Sequence, residues 1–250
     1  MRVIVSGDEH GRGKFKKIYE SLKDDKSIGM FVCEGDYFDP YFSLEKDETC
    51  AEIVQNFEDI VKIARSDPRV KLLIGNHDFH YIVNCDKSRY AYFMAETYRR
   101  LFVENIDLLN FIVMPNKHTI ISHAGITDVW LKERGYELDK INGELPRIID
   151  GEIIGAAFFY DDRDYSGYGE SPTQGCTWVR PNGLVSPESW IDGIDTQIVG
   201  HTATQNISYF LREAKQSNDP IKYSPDDKHA FYFVDTGDSE SYLDINLEDN

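Results

Sequence analysis

Five times along this chain a short β-branched and aliphatic run stops at a residue able to bind a metal. Val3-Ile4-Val5 leads to Asp8 and His10, and Met30-Phe31-Val32-Cys33 leads to Asp36 and Asp39. Val70 to Ile74 leads to Asn76-His77-Asp78, Thr119-Ile120-Ile121 to His123, and Gln197-Ile198-Val199 to His201. Such runs read as buried strands. Strand ends gather along one edge of an open α/β sheet, where residues remote in sequence can meet. Carboxylate, amide and imidazole donors collected there suit two divalent cations and hydrolysis.

Each donor brings a different capacity. Asp8 and His10, two positions apart between Gly7 and Gly11, can grip one cation from a strand-to-loop exit. The two oxygens of Asp36 can bridge two cations, a role an imidazole does not easily fill. Asp39, three residues later, is near enough to support such a site from behind. Asn76 offers a neutral carbonyl oxygen beside His77, and His123 and His201 complete a second shell of donors. A mixed oxygen and nitrogen set without thiolate suits Mn²⁺, Fe or Zn²⁺ and does not choose among them. His80, His118 and His229 fall outside the pattern and read as ordinary hydrogen-bonded histidines.

The elements that must position these residues alternate in the first half of the chain. Phe15, Ile18, Tyr19 and Leu22 fall at helical spacing, as do Ile53, Phe57, Ile60, Val61 and Ala64, ending before Pro68. Residues Tyr92 to Val103 read as a third helix with its Tyr and Phe positions in the core. Leu108 to Met114 and His118 to Ser122 read as strands joined by a Pro115-Asn116 turn, and Glu144 to Tyr160 as another helix. Asp161 to Gly175, rich in Gly, Ser, Asp and Tyr, is the longest internal loop. Ile207 to Leu211, Ala230 to Asp235 and Tyr242 to Leu247 read as strands. The final segment, Asp235 to Asn250, has six acids and no bases and reads as a solvated hairpin.

Length and composition set outer limits. The chain has 250 residues, 41% of them hydrophobic, enough for a substantial core and best read as one domain over residues 1–250. No apolar run approaches the roughly 20 residues that cross a bilayer, and the N-terminus enters a strand pattern without a secretory signal. A cytoplasmic protein without a membrane partner is the expectation. Cys33, Cys50, Cys85 and Cys176 lack zinc or disulfide spacing and read as free thiols. The formal net charge of −17 and the absence of a basic block argue against long nucleic acid as a partner.

GDEHG (Gly7 to Gly11), GDYFD (Gly35 to Asp39), GNHD (Gly75 to Asp78), SHAG (Ser122 to Gly125) and GHT (Gly200 to Thr202) follow one another in this order. In that order and content the chain resembles the calcineurin-like metallophosphoesterases. TWVRP (Thr177 to Pro181), VDTG (Val234 to Gly237) and Ala203, where other branches carry a second histidine, make it look most like the phosphoprotein-phosphatase branch and its bacterial and phage relatives. The resemblance implies an α/β fold, a four-layer αββα sandwich of two mixed sheets flanked by helices. It implies Asp8, His10 and Asp36 on a first metal, with Asp36 bridging to a second held by Asn76, His123 and His201. His77 would be the general acid, oriented by Asp39. Manganese is the first expectation for both ions, with Fe or Zn compatible.

One departure stands out. Relatives in that branch commonly read GDxxDR, but Pro40 stands where the arginine would be. Arg180 is the first substitute for that phosphate-binding cation, and Arg163 in the loop the second. Two cations about 3.5–4 Å apart would generate hydroxide near neutral pH, for in-line attack on phosphorus. Their charge would outweigh Asp8, Asp36 and the hydroxide, leaving the site locally positive. The expected activity is hydrolysis of a phosphomonoester, on a Ser/Thr phosphoprotein or a small phosphorylated molecule. The alternatives are a phosphodiesterase or dinucleoside polyphosphate hydrolase, with Tyr165 and Tyr168 stacking on a base, and a non-catalytic scaffold of the same fold.

Overall fold

Alternation along the strands decides the layering of the molecule. The computed structural model describes residues 1–40, 47–85, 89–160, 168–212, 218–237 and 239–247. One sheet contains β1 (Arg2–Ser6), β2 (Ile28–Cys33), β3 (Val70–Leu73) and β4 (Leu109–Asn110) as parallel neighbours. The other contains β5 (Ile112–Asn116), β6 (Thr119–Ser122), β7 (Thr196–Val199), β8 (Ile221–Tyr223) and β9 (Ala230–Phe233), in the order β5-β6-β7-β9-β8. In it β6, β7 and β9 are parallel, with β5 and β8 antiparallel at the edges. The last strand, β10 (Leu243–Asn246), returns to the first sheet, antiparallel to β1.

Successive side chains on a strand face opposite ways. Val3, Val5, Val32 and Leu73 of the first sheet join Val113, Ile121 and Ile198 of the second in one buried cluster between the sheets. Full burial of each is worth roughly 1.5–3 kcal/mol. The alternate residues Ile4, Phe31, Cys33 and Leu72 face outward, under α1 (Lys14–Leu22), α2 (Asp47–Ser66), α3 (Asn76–Ile82) and α4 (Ala95–Glu104). Outside the second sheet, α5 (Asp128–Arg134) and α6 (Glu144–Ile149) cover Ile120. There too, α7 (Pro181–Val185) and α8 (Ile207–Phe210) pack on Val199, Phe231 and Phe233. The helix-sheet-sheet-helix order matches the expected αββα sandwich.

Several local expectations are corrected. The Leu108–Met114 run is split between sheets: β4 pairs with β3, and β5 pairs with β6. The backbone N–H groups of Phe111 and Ile112, where the chain crosses, both donate to Asn142 Oδ1. A period-two pattern carries no mark of a change of sheet. Pro115 and Asn116 belong to β5, and the turn falls at Lys117-His118, closed by His118 N–H on Asn116 Oδ1. The Glu144–Tyr160 helix stops at Ile149, because Gly151 takes φ 74, a left-handed conformation that ends helices. Ile207–Leu211 is helical rather than extended; Ile207 and Leu211, four apart, share the face that packs on the second sheet. The third helix starts at Ala95, so Tyr92 and Phe93 are 71% and 68% exposed while Tyr98 and Phe102 are buried. Among the described residues no final hairpin forms, since β9 and β10 lie in different sheets. The four cysteines are free thiols.

Candidate metal centre

Parallel pairing of β1, β2 and β3 carries Asp8, Asp36 and Asn76 to one edge, and parallel pairing of β6, β7 and β9 carries His123, His201 and Asp235 to the same place. Hydrogen bonds across the sheets lock the two edges together. His201 N–H donates to Asp8 Oδ1 at 3.0 Å, and His123 Nδ1–H to the Glu34 carbonyl at 2.7 Å. The six expected ligands all converge. Asp8, His10, Asp36, Asn76 and His201 line a cavity of about 520 Å³, and fully buried His123 reaches Asn76 Oδ1 with Nε2 at 2.9 Å.

The backbone is bent hard to do this. His10, Asp36, Asp39 and His201 have φ of 43°, 53°, 55° and 60°. For such residues each left-handed turn costs on the order of 1 kcal/mol or more, and strain of this kind concentrates at functional sites. The glycines of GNHD and GHT have a steric reason. A Cβ on Gly75 would collide with Asp36 Oδ1, and one on Gly200 with Asp8 Oδ1.

Asp78 holds the second and third strand ends in register. Fully buried, it accepts the N–H groups of Asp36 at 2.7 Å, Gly75 at 2.9 Å and Tyr37 at 2.8 Å. Asp78→Ala leaves three buried donors unsatisfied, so it destabilises the protein by about 3–5 kcal/mol. Equilibrium denaturant unfolding checks this, and a loss under about 1 kcal/mol would refute the clamp.

The donor set fits cations, by an observation independent of the motifs. Each of three imidazoles spends one N–H on a backbone carbonyl: His10 Nδ1 on Asp39 O, His123 Nδ1 on Glu34 O, and His201 Nε2 on Trp178 O. This fixes the tautomer and turns the other nitrogen's lone pair inward. Burial pushes His10 down to about 3 and lowers His123 and His201, keeping the rings neutral. Their lone pairs then face oxygen acceptors. His10 Nε2 is 3.5 Å from Asp36 Oδ2 and 3.8 Å from Asp8 Oδ2; His123 Nε2 is 3.7 Å from Asp36 Oδ2; His201 Nδ1 is 2.8 Å from Asn76 Oδ1. Acceptors aimed at acceptors are reconciled by a positive charge between them. Burial, Asp235 and Asp36 together push Asp8 well above the usual carboxylate range. A bound cation would remove that conflict.

His77 lies at the side of this cluster. Its Nδ1–H donates to Asp39 Oδ2 at 3.0 Å, and Nε2 faces the cavity. Burial pushes the Asp39 carboxyl up, but the hydrogen bonds from His77 and Tyr81 and the closeness of His80 outweigh it and hold the group below its ordinary value. Arg180 stands beside His201, where Nη1 donates to His201 O at 2.9 Å and Thr202 Oγ1 at 3.1 Å. Its guanidinium carbon lies 5.8 Å from the Trp178 ring and 6.0 Å from Phe210. Arg163 and Tyr165 lie outside the described residues.

Four neighbours were not foreseen from the sequence. Asp235 is 2% exposed and lines the cavity, although its segment reads as solvated. The signal was present: Phe231 to Val234 is a sixth apolar run ending at a carboxylate. His80, given an ordinary structural reading, is a core histidine with Nε2 2.8 Å from Asp39 Oδ2. Its spacing of three from His77 puts both on one face of α3, but NHDFHYI shows no helical apolar period. Tyr81 OH donates to Asp39 Oδ1. Arg89 lines the cavity, and nothing in the sequence announces it.

The chain was compared with families and structures of known proteins. A model of the calcineurin-like phosphoesterase domain matches residues 1–205. The cold-active protein-tyrosine phosphatase of a psychrophilic Shewanella sp. is similar in structure, with a TM-score of 0.56 and 19% identity over 94% of this chain and 71% of that one. A serine/threonine phosphatase from Saccharomyces cerevisiae aligns at a TM-score of 0.48 and 13% identity, over 100% of this chain and 81% of its own. No curated protein sequence matches significantly. A family match over most of the length, on an edge of carboxylates and neutral imidazoles, means that the chain belongs to the calcineurin-like phosphoesterases and is a phosphate-ester hydrolase.

Proposed function

We propose that residues 1–250 act as one cytoplasmic, dinuclear-metal-dependent phosphomonoesterase of the phosphoprotein-phosphatase branch. Its substrate would be a Ser/Thr phosphoprotein or a small phosphorylated molecule. The observation that carries this reading is the meeting of Asp8, His10, Asp36, Asn76, His123 and His201 beside one cavity with His77 at its rim. In this proposal Asp8, His10 and Asp36 hold one divalent ion, and Asp36, Asn76, His123 and His201 the other, manganese being the first expectation. When bound, such ions supply Lewis acidity toward phosphoryl oxygens and an activated water. The chain's own groups do the rest. Arg180 binds a phosphoryl oxygen from the His201 wall. His77 delivers a proton from Nε2 to the leaving ester oxygen while Asp39 holds the ring through Nδ1. No described helix is long and apolar enough to cross a membrane.

With added Mn²⁺ the protein is expected to hydrolyse p-nitrophenyl phosphate. Chelation followed by gel filtration is expected to remove the activity, and Mn²⁺ to restore it. Full activity at a metal content below one tenth of an ion per chain, by elemental analysis, would refute metal dependence.

One observation favours a second reading. Tyr168, 60% exposed, lines the cavity with Trp178 and Phe210, and its ring centroid is 6.5 Å from that of Tyr209. An aromatic rim of this kind could stack on a base, as a dinucleoside polyphosphate hydrolase requires. Rates on diadenosine tetraphosphate and bis-p-nitrophenyl phosphate, compared with the monoester, separate the two.

A further inference from the structure

Arg89 sits between α3 and α4, outside every motif, yet its Nη2 lies 2.9 Å from His77 Nε2. A guanidinium offers only N–H donors. Here, then, Nε2 is the acceptor, and the imidazole proton is on Nδ1, pointing at Asp39. A ring in that tautomer has no hydrogen at Nε2 to give a departing oxygen. If His77 delivers a proton, Arg89 must first leave and Nε2 must then take up a proton from solvent, which the ring passes to the departing oxygen.

We propose that Arg89 is the phosphate-binding residue on the leaving-group side of the cavity, resting on His77 when no phosphate is present and moving to a phosphoryl oxygen when a monoester enters. The inference rests on the phosphomonoesterase reading above, and adds to it a residue that selects monoesters over diesters. Among the described residues lining the cavity, the guanidinium groups are Arg89, against His77, and Arg180, against His201. Arg180 is tied to His201 and Thr202, and Pro40 stands at the second strand end where the branch carries its arginine. Arg89 is therefore the cation at the His77 wall.

Its surroundings suit a residue that moves at the tip and is fixed at the base. The side chain is exposed, while the backbone is held at φ 63, which a non-glycine residue adopts only under constraint. Two residues on, Ala91 N–H donates to Tyr81 OH at 2.9 Å, and Tyr81 donates to Asp39. The segment is thus anchored to the carboxylate that orients His77. An anionic phosphoryl oxygen is a stronger acceptor for a guanidinium than a neutral imidazole nitrogen, so an incoming dianion draws Arg89 off Nε2. A monoester presents three non-bridging oxygens and a second negative charge. A diester replaces one of those oxygens with a substituent and gives Arg89 less to hold.

The test compares Arg89→Gln and Arg89→Lys with the parent, all loaded with Mn²⁺. Arg89→Gln is expected to lower kcat/KM for p-nitrophenyl phosphate about 10–100-fold, mainly through KM. On bis-p-nitrophenyl phosphate the change is expected to stay below about threefold. Calorimetric affinity for inorganic phosphate should weaken about 10–100-fold, with Arg89→Lys intermediate. Equal losses on both esters, or unchanged phosphate affinity, would overturn the assignment. Should the glutamine variant misfold in a thermal melt, the lysine variant decides by the same two readouts. A parent inactive on both esters sinks the phosphomonoesterase reading and this inference with it; an active parent with an unchanged monoester-to-diester ratio in the variants sinks only Arg89.

Discussion

Asp36→Asn is expected to lower Mn²⁺-supported hydrolysis of p-nitrophenyl phosphate by at least about 10³-fold. Asp36 Oδ2 lies 3.5 Å from His10 Nε2 and 3.7 Å from His123 Nε2, so it faces both halves of the donor set. Its other oxygen accepts the His77 backbone N–H at 2.8 Å. Asparagine keeps the volume and an acceptor oxygen for the His77 N–H, so the backbone at residues 34–40 should hold its course. It removes the negative charge on Oδ2 that would hold cations on both sides. Bound metal, by elemental analysis, should fall from about two ions per chain toward one or none. More than a tenth of parental activity would remove Asp36 from the bridging position.

His77→Ala is expected to divide substrates by their leaving groups. On an alkyl phosphate, whose alkoxide leaves poorly, the rate should fall about 10²–10⁴-fold. On p-nitrophenyl phosphate, whose anion leaves without a proton, it should fall less than about tenfold. The placement behind this is specific: Nδ1 is spent on Asp39, and Asp39 is itself held by Tyr81 and lies 2.8 Å from His80, so only Nε2 can serve the substrate. Metal content should stay at the parental level. Equal losses on the two esters would remove His77 from the acid role and leave it a structural neighbour of Asn76.

Much of the site could be read from the chain because its grammar is local. An aliphatic run that ends at Gly-Asp, Gly-Asn or Gly-His states both that a strand is buried and that a donor follows it. The glycines of these pairs are fixed by close approach, as the clashes expected at Gly75 and Gly200 show. The same rule, applied once more to Phe231–Val234, yields Asp235. It went unread because the acidic residues after it dominate the composition of the tail. Local pattern failed where the chain changes partners without changing period. The run through Phe111 crosses from one sheet to the other, and Ile207–Leu211 buries one face as a helix turn rather than as a strand.

The amino-acid order by itself marked the buried strands and the six donors at their ends, because hydrophobic periodicity and strand-end chemistry are written within a few residues of each other, while the αββα sandwich followed from the family resemblance those motifs carry. Tertiary structure alone decided the rest. Which lone pair each histidine presents depends on a carbonyl from another loop: Asp39 for His10, Glu34 for His123 and Trp178 for His201. The cation beside His77 comes from Arg89, a residue with no motif and no period, brought there by the path between α3 and α4. Contacts of that kind are set by how separate segments pack, and no spacing in the sequence encodes them.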